Sequence, residues 1–257
     1  MSTVFLSLPD ELLDAILGCL LPRVKPYLQL DHNIQYYPPK DLLQCRLTCR
    51  TLCRIASPWV CRRFDLLESY SSCVYRLEQT RNKFLAKVTF FSTHEENARA
   101  VRLLHLDRRH VPEFQEIFSP LLTAQPRFLS RMNNLRILVL KYCKISDICG
   151  ADGFAQILTQ PKLSTLVLQG VDGMDWSHVR NPLFNLKNMD IGYMFSAGCP
   201  LSFAPCLETL SLRSCDLDAH EPTSLPWATL RQLRINLPTT GLKPVLESYE
   251  VRLFCIH

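Results

Sequence analysis

The chain has 257 residues, 47% of them hydrophobic, and a formal net charge of +5; that is enough apolar material for one large domain or two small ones. Its longest nearly apolar stretch, Ala15 to Leu21, is far too short to cross a bilayer. With no basic leader and no C-terminal lipidation box, the expectation is an intracellular protein, cytoplasmic or nuclear, without membrane contact.

The 12 cysteines include no Cys-x-x-Cys pair. Cys45, Cys49 and Cys53 step by four along one expected helix, but no nearby His completes a tetrahedral zinc set. Reduced, buried thiols are therefore expected, with no metal and no cofactor. The positive charge is concentrated in residues 69–134, with 10 basic against 6 acidic side chains. No concentrated basic stripe marks the rest, so a nucleic-acid partner is not expected.

The first helix is predicted from Pro9, which suits an opening turn because its missing N–H costs nothing there. Ser7 or Leu8 would cap it, and Asp10 and Glu11 favour the positive end of the helix dipole. Two apolar stripes follow: Leu12, Ile16 and Leu20, and beside them Leu13, Leu17 and Leu21. A helix resting on a single core usually carries one stripe, so two imply burial on two sides. Residues 22–40, with Pro22, Pro26, Pro38 and Pro39, read as a loop. A second helix is predicted over 41–56 and ended by Pro58. Leu42, Cys45, Cys49, Leu52 and Ala56 mark one face, Leu43, Leu47 and Ile55 a second, and Arg46, Arg50 and Arg54 a solvated third. A short terminal piece runs from Trp59 to Leu66. So small a unit cannot bury all these leucines, and an exposed surplus usually marks an interface.

Leu8-Pro9-Asp10-Glu11-Leu12-Leu13, Ile16, Cys19-Leu20, Asp41-Leu42-Leu43, Cys45, Cys49-Arg50 and Ala56 occur in order over residues 5–68. This series resembles the F-box, the motif that docks substrate receptors onto the Skp-family adaptor of SCF-type ubiquitin ligases. Carried over by position, the resemblance implies that Leu8, Pro9, Leu12, Ile16, Leu42, Cys45, Cys49 and Leu52 face the adaptor, and through it a cullin.

Farther along, Leu-x-x-Leu-x-Leu spacing recurs: Val101-Leu104-Leu106, Leu135-Leu138-Leu140, Leu163-Leu166-Leu168, Leu186-Met189-Ile191, Leu207-Leu210-Leu212 and Leu230-Leu233-Ile235. The last four start-to-start spacings are 21 to 28 residues, the range of leucine-rich repeats. Cys143-Lys144-Ile145 and Cys215-Asp216-Leu217 carry the usual continuation after the strand. Leu85-Val88-Phe90 is an earlier, irregular candidate. Gly153 to Leu158 and part of Pro112 to Met132 read as helical return segments. Pro238 to His257 shows no clear capping repeat, although solenoids need a covered end.

The expected architecture is thus an all-helical module at 1–68, a connecting segment at 69–100, and a leucine-rich-repeat solenoid of about six repeats at 101–257, with a curved parallel sheet. Between its inward leucines, the column His105, Val139, Val167, Asp190, Ser211 and Arg234 would face the concave surface and meet a target protein. It is flanked by the columns starting at Leu103 and Asp107. No phosphate-binding loop, nucleophile elbow or His-Glu-x-x-His motif occurs, and the 7 histidines are scattered, so no enzymatic activity is expected. The reading is a substrate receptor. Two alternatives stay open: a scaffold that binds the adaptor without ubiquitin transfer, and a basic nucleic-acid or membrane-surface module within 69–134.

Overall fold

The computed structural model describes residues 8–20, 40–65, 77–107, 129, 131–173, 176–193, 201–213, 226 and 228–236. The expected loop at 22–39, most of the return segment at 112–132, the continuation at Cys215 and the stretch from Pro238 lie outside these residues.

A parallel sheet of seven strands follows chain order: β1 (Arg63–Asp65), β2 (Leu103–Asp107), β3 (Ile137–Lys141), β4 (Thr165–Gln169), β5 (Asn188–Gly192), β6 (Thr209–Arg213) and β7 (Gln232–Asn236). The fold is thus of the α/β type. Parallel neighbours need long crossovers, which the spacing between motifs supplies. All six Leu-x-x-Leu-x-Leu segments form strands, and the pairing aligns them position for position. Leu104, Leu138, Leu166, Met189, Leu210 and Leu233 form one row, and Leu106, Leu140, Leu168, Ile191 and Leu212 the next. Both rows are buried. The leading residues Val101, Leu135, Leu163, Leu186 and Leu207 are buried with them. A slip of one residue would turn each strand's leucines to the opposite face, so burial fixes the register.

β1 has no counterpart in the repeat pattern. It is a three-residue strand whose Phe64 extends the Leu104 row and packs on Phe91, with ring centroids 4.4 Å apart. Leu85-Val88-Phe90 is not a repeat strand but part of helix α4 (Leu77–Thr93). The buried residues there are Phe84, Val88 and Phe91, at helical i, i+4, i+7 spacing. A shorter helix, α5 (Glu95–Ala100), leads into β2. After β3, helix α6 (Gly150–Leu158) forms the expected return segment and buries Phe154, Ile157 and Leu158.

Among the described residues, the N-terminal module has three helices: α1 (Asp10–Cys19), α2 (Lys40–Thr48) and α3 (Arg50–Val60). Pro9 is the N-cap of α1, not its first turn, and its carbonyl accepts from the N–H groups of Leu12 and Leu13. The helix expected over 41–56 is broken in two. Cys49 is extended, with φ −160° and ψ 168°, and its thiol accepts from the Leu52 N–H at 3.5 Å. Even so, the stripe Leu42, Cys45, Cys49, Leu52 and Ala56 is buried or partly buried along its whole length. Pro58 does not end α3, which runs two residues farther. That last turn is held from outside. The Trp59 indole donates to Asp14 Oδ1 at 2.5 Å, and its ring lies against α1 at Gly18, where a Cβ would meet it at 2.9 Å.

Leu13, Leu17, Leu42, Ile55 and Ala56 form the module's own core, separate from the large core that runs from Cys61 to Leu233. Leu42→Ala should therefore lower stability by about 2–5 kcal/mol, the range for emptying a fully buried leucine site, read by urea denaturation. Burial pushes the Cys61 thiol up to about 11, over an opposing pull from Arg46, and burial pushes Cys149 up to about 12. Iodoacetamide at about pH 8 should alkylate exposed Cys19 in the folded chain but reach Cys61 and Cys149 only after unfolding. Mass mapping of the labelled peptides checks this.

Candidate interaction surfaces

The two stripes of α1 have different fates. Leu13 and Leu17 are buried in the module core, whereas Leu12 is 51% exposed and Ile16 and Leu20 are also open. The same division occurs on α2, where Leu42 is buried while Leu43 is open and Leu47 is 80% exposed. Each helix thus spends one apolar edge on α3 and leaves another bare.

Among the eight residues named by resemblance, Leu12, Ile16 and Pro9 are exposed, and Leu8, Cys45 and Cys49 are partly buried. Leu8 and Cys45 pack against the module core, and Cys49 is occupied as a cap. Leu42 and Leu52, expected to face the adaptor, are buried within this chain. Leu20, Leu43 and Leu47, members of the apolar stripes read on these helices, are exposed.

On the sheet, the residues between the leucine rows fall into three columns. The pairing places His105, Val139, Val167, Asp190, Ser211 and Arg234 on consecutive rungs. Their expected exposure holds only in part. His105, Val139 and Arg234 are half-buried, but Val167, Asp190 and Ser211 are buried. Rungs about 4.8 Å apart leave small side chains little room to reach solvent. A longer neighbour also leans over them: Arg213 stands 3.3 Å from the fully buried Asp190 carboxylate and 3.5 Å from the Ser211 hydroxyl.

At the opposite end of this face, Asp65 gathers three partners. Arg63 Nε lies 2.6 Å from one carboxylate oxygen, His105 Nδ1 lies 3.0 Å from the other, and Lys87 donates to its main-chain carbonyl at 3.0 Å. Burial pushes the carboxyl up, but the hydrogen bonds from His105 and Arg63 outweigh it and hold Asp65 below the usual carboxylate range.

The strands end in a shared bend. Tyr142, Gly170 and Tyr193 directly follow β3, β4 and β5 with φ of 53°, 57° and 55°. Each donates its N–H to the last carbonyl of the next strand. A side chain at Gly170 would collide with the Tyr142 ring, 2.8 Å from its Cβ position. Tyrosine in this left-handed region costs about 1–2 kcal/mol. The outcome is a row of rim positions at the strand ends, with Tyr193 44% exposed. Hydrophobic periodicity gave no sign of these two tyrosines; the glycine at the aligned position was the one clue.

Among the described residues, no helix is long and apolar enough to cross a membrane, and no group of three or more His, Cys, Asp or Glu is placed to hold a metal ion. No protein-family model matches the chain, and no curated protein matches it significantly.

Because the Asp65 carboxyl titrates lower in the folded chain than in the unfolded one, its contribution to stability is present above about pH 4 and is lost as pH falls through the folded value. Asp65→Asn should cost stability at pH 7 and cost less at pH 3, because the advantage of the ionised native carboxyl shrinks once the pH falls below the unfolded value of about 4. Urea denaturation of both proteins at the two pH values measures the difference.

Proposed function

We propose that this chain is an F-box protein with leucine-rich repeats, an intracellular substrate receptor that joins a target protein to a cullin-based ubiquitin ligase. The observation that carries the reading is the pair of bare apolar edges, Leu12-Ile16-Leu20 on α1 and Leu43-Leu47 on α2, outside a module whose inner leucines are already buried. These edges would lie against a Skp-family adaptor. Leu8, Pro9, Cys45 and Cys49 would contribute at the margin.

The second part is the sheet, read as the concave wall of a solenoid. Its six aligned motif strands cannot bury their edges singly and gain stability by stacking. The target would be met by the half-exposed members His105, Val139 and Arg234 and by rim residues such as Tyr193. Buried Val167, Asp190 and Ser211 would support that surface from beneath. Such a receptor makes no bond itself. It raises the effective concentration of acceptor lysines near an activated thioester held elsewhere in the ligase.

Burying a leucine or isoleucine side chain is worth about 1.5–3 kcal/mol, so two lost contacts should weaken binding on the order of 100-fold or more. Ile16→Asp with Leu47→Asp changes two exposed positions and should leave the thermal melt unaltered. Co-purification with the Skp-family adaptor should disappear. Retention of the adaptor at the wild-type level by a normally folded double variant would refute the docking assignment.

A further inference from the structure

The chain leaves one core and enters the other between two adjacent residues. Val60, the last residue of α3, packs against the module core, and Cys61 is buried in the large core of the sheet. Just before this crossing, α3 carries a weak point. Pro58 lies inside the helix and offers no N–H to the carbonyl four residues back, that of Arg54. Ser57 donates its hydroxyl to the Cys53 carbonyl at 2.6 Å, a contact that tends to bend a helix. On one side, packing does not compensate. An open cleft of about 300 Å³ lies there, lined by Pro58 and Arg62 from this segment and by Ala100, Arg102 and Arg136 across from it. Sharp helix bends concentrate at prolines, so the junction has both a bending point and room to bend into.

Trp59 directly follows the proline and reaches in both directions. Its indole N–H donates to Asp14 Oδ1 at 2.5 Å, in the second turn of α1. Its ring edge lies against Gly18, one turn farther along α1, where an added Cβ would stand 2.9 Å away. Its face carries the Arg62 guanidinium, 3.3 Å from the ring centroid. Arg62 is in turn fixed to the sheet, because its carbonyl accepts from the N–H groups of Arg102 and Leu103 at 2.7 and 2.9 Å. One side chain therefore spans from α1, past the weak point of α3, to the first rungs of the sheet.

We propose that Trp59 latches a hinge at Pro58 and holds the helical module at one angle to the sheet. A carboxylate acceptor strengthens the indole hydrogen bond, and the cation over the ring adds an attraction that an aliphatic side chain lacks. The exposed Arg54–Asp10 pair at 2.6 Å also links α3 to α1, but it lies before Pro58 and stays within the module. It cannot act on the junction. The latch itself does not depend on the receptor reading. Its consequence rests on that reading: with an adaptor on the bare edge of α1 and a target on the sheet, the latch would set the distance between them, and reaction between two held groups depends on such placement.

The test uses the full chain with spin labels on non-natural side chains at exposed Ala15 and Asn185, one on the module and one beside the sheet. Pulsed dipolar spectroscopy should give one narrow distance distribution when no other residue is changed. Trp59→Leu should broaden it by about twofold or more while circular dichroism stays that of the folded chain. Adding Pro58→Ala, which returns an N–H to the Arg54 carbonyl, should narrow it again. Simple loss of packing around the ring would not be reversed by that second change. Arg54→Gln should leave the width unaltered. Should Trp59→Leu fail to fold, Asp14→Ala at an exposed position should still broaden the distribution, by about 1.5-fold. The proposal falls if the unaltered protein already shows a broad distribution, if the folded latch variants keep a narrow one, if Arg54→Gln broadens it as much, or if Pro58→Ala does not restore it.

Discussion

Everything in the larger part of the molecule rests on rows of aliphatic side chains stacked at one register across parallel strands. Leu104 through Leu233 and Leu106 through Leu212 share one core with each other, with Phe64 and with the helices packed behind them. Burial of each strand depends on its two neighbours, so the unit of stability is the contact between consecutive segments. The sheet can then extend by addition, and its first rung, β1, is donated by a chain segment outside the repeat pattern altogether. Phe64 serves where a leucine would, because the row requires apolar volume at that point and not a particular residue.

The same economy governs the small module. Its core is only a handful of residues, and α1 and α2 each divide their leucines between that core and the outside. In water, bare aliphatic edges on both helices are a standing cost unless something covers them. Polar insulation would have been simple to encode at Leu47 or Ile16. Their retention as hydrophobes is what gives the receptor reading its physical content.

Much of the fold was legible because two simple periods dominate the chain. Leu-x-x-Leu-x-Leu alternation places all six long strands, and pairing follows from stacking identical motifs. Period alone could not separate Leu85-Val88-Phe90 from a strand, since a short apolar run satisfies both templates; the buried set Phe84, Val88 and Phe91 decides it. It also could not foresee the break at Cys49, where a thiol caps a new helix without any of the usual capping residues. The interaction surfaces were less legible than the fold. Exposure of Leu43 and Leu47 and burial of Asp190 are products of tertiary packing between segments far apart in sequence.

Trp59 has a wider implication. Its indole N–H rests on Asp14, its face carries Arg62, and its edge fills the space that a methyl group at Gly18 would need. Positions 18 and 59 are therefore not independent letters. In any lineage descended from this chain, enlargement at the first must be preceded or accompanied by shrinkage at the second, and the two should be inherited as a matched pair.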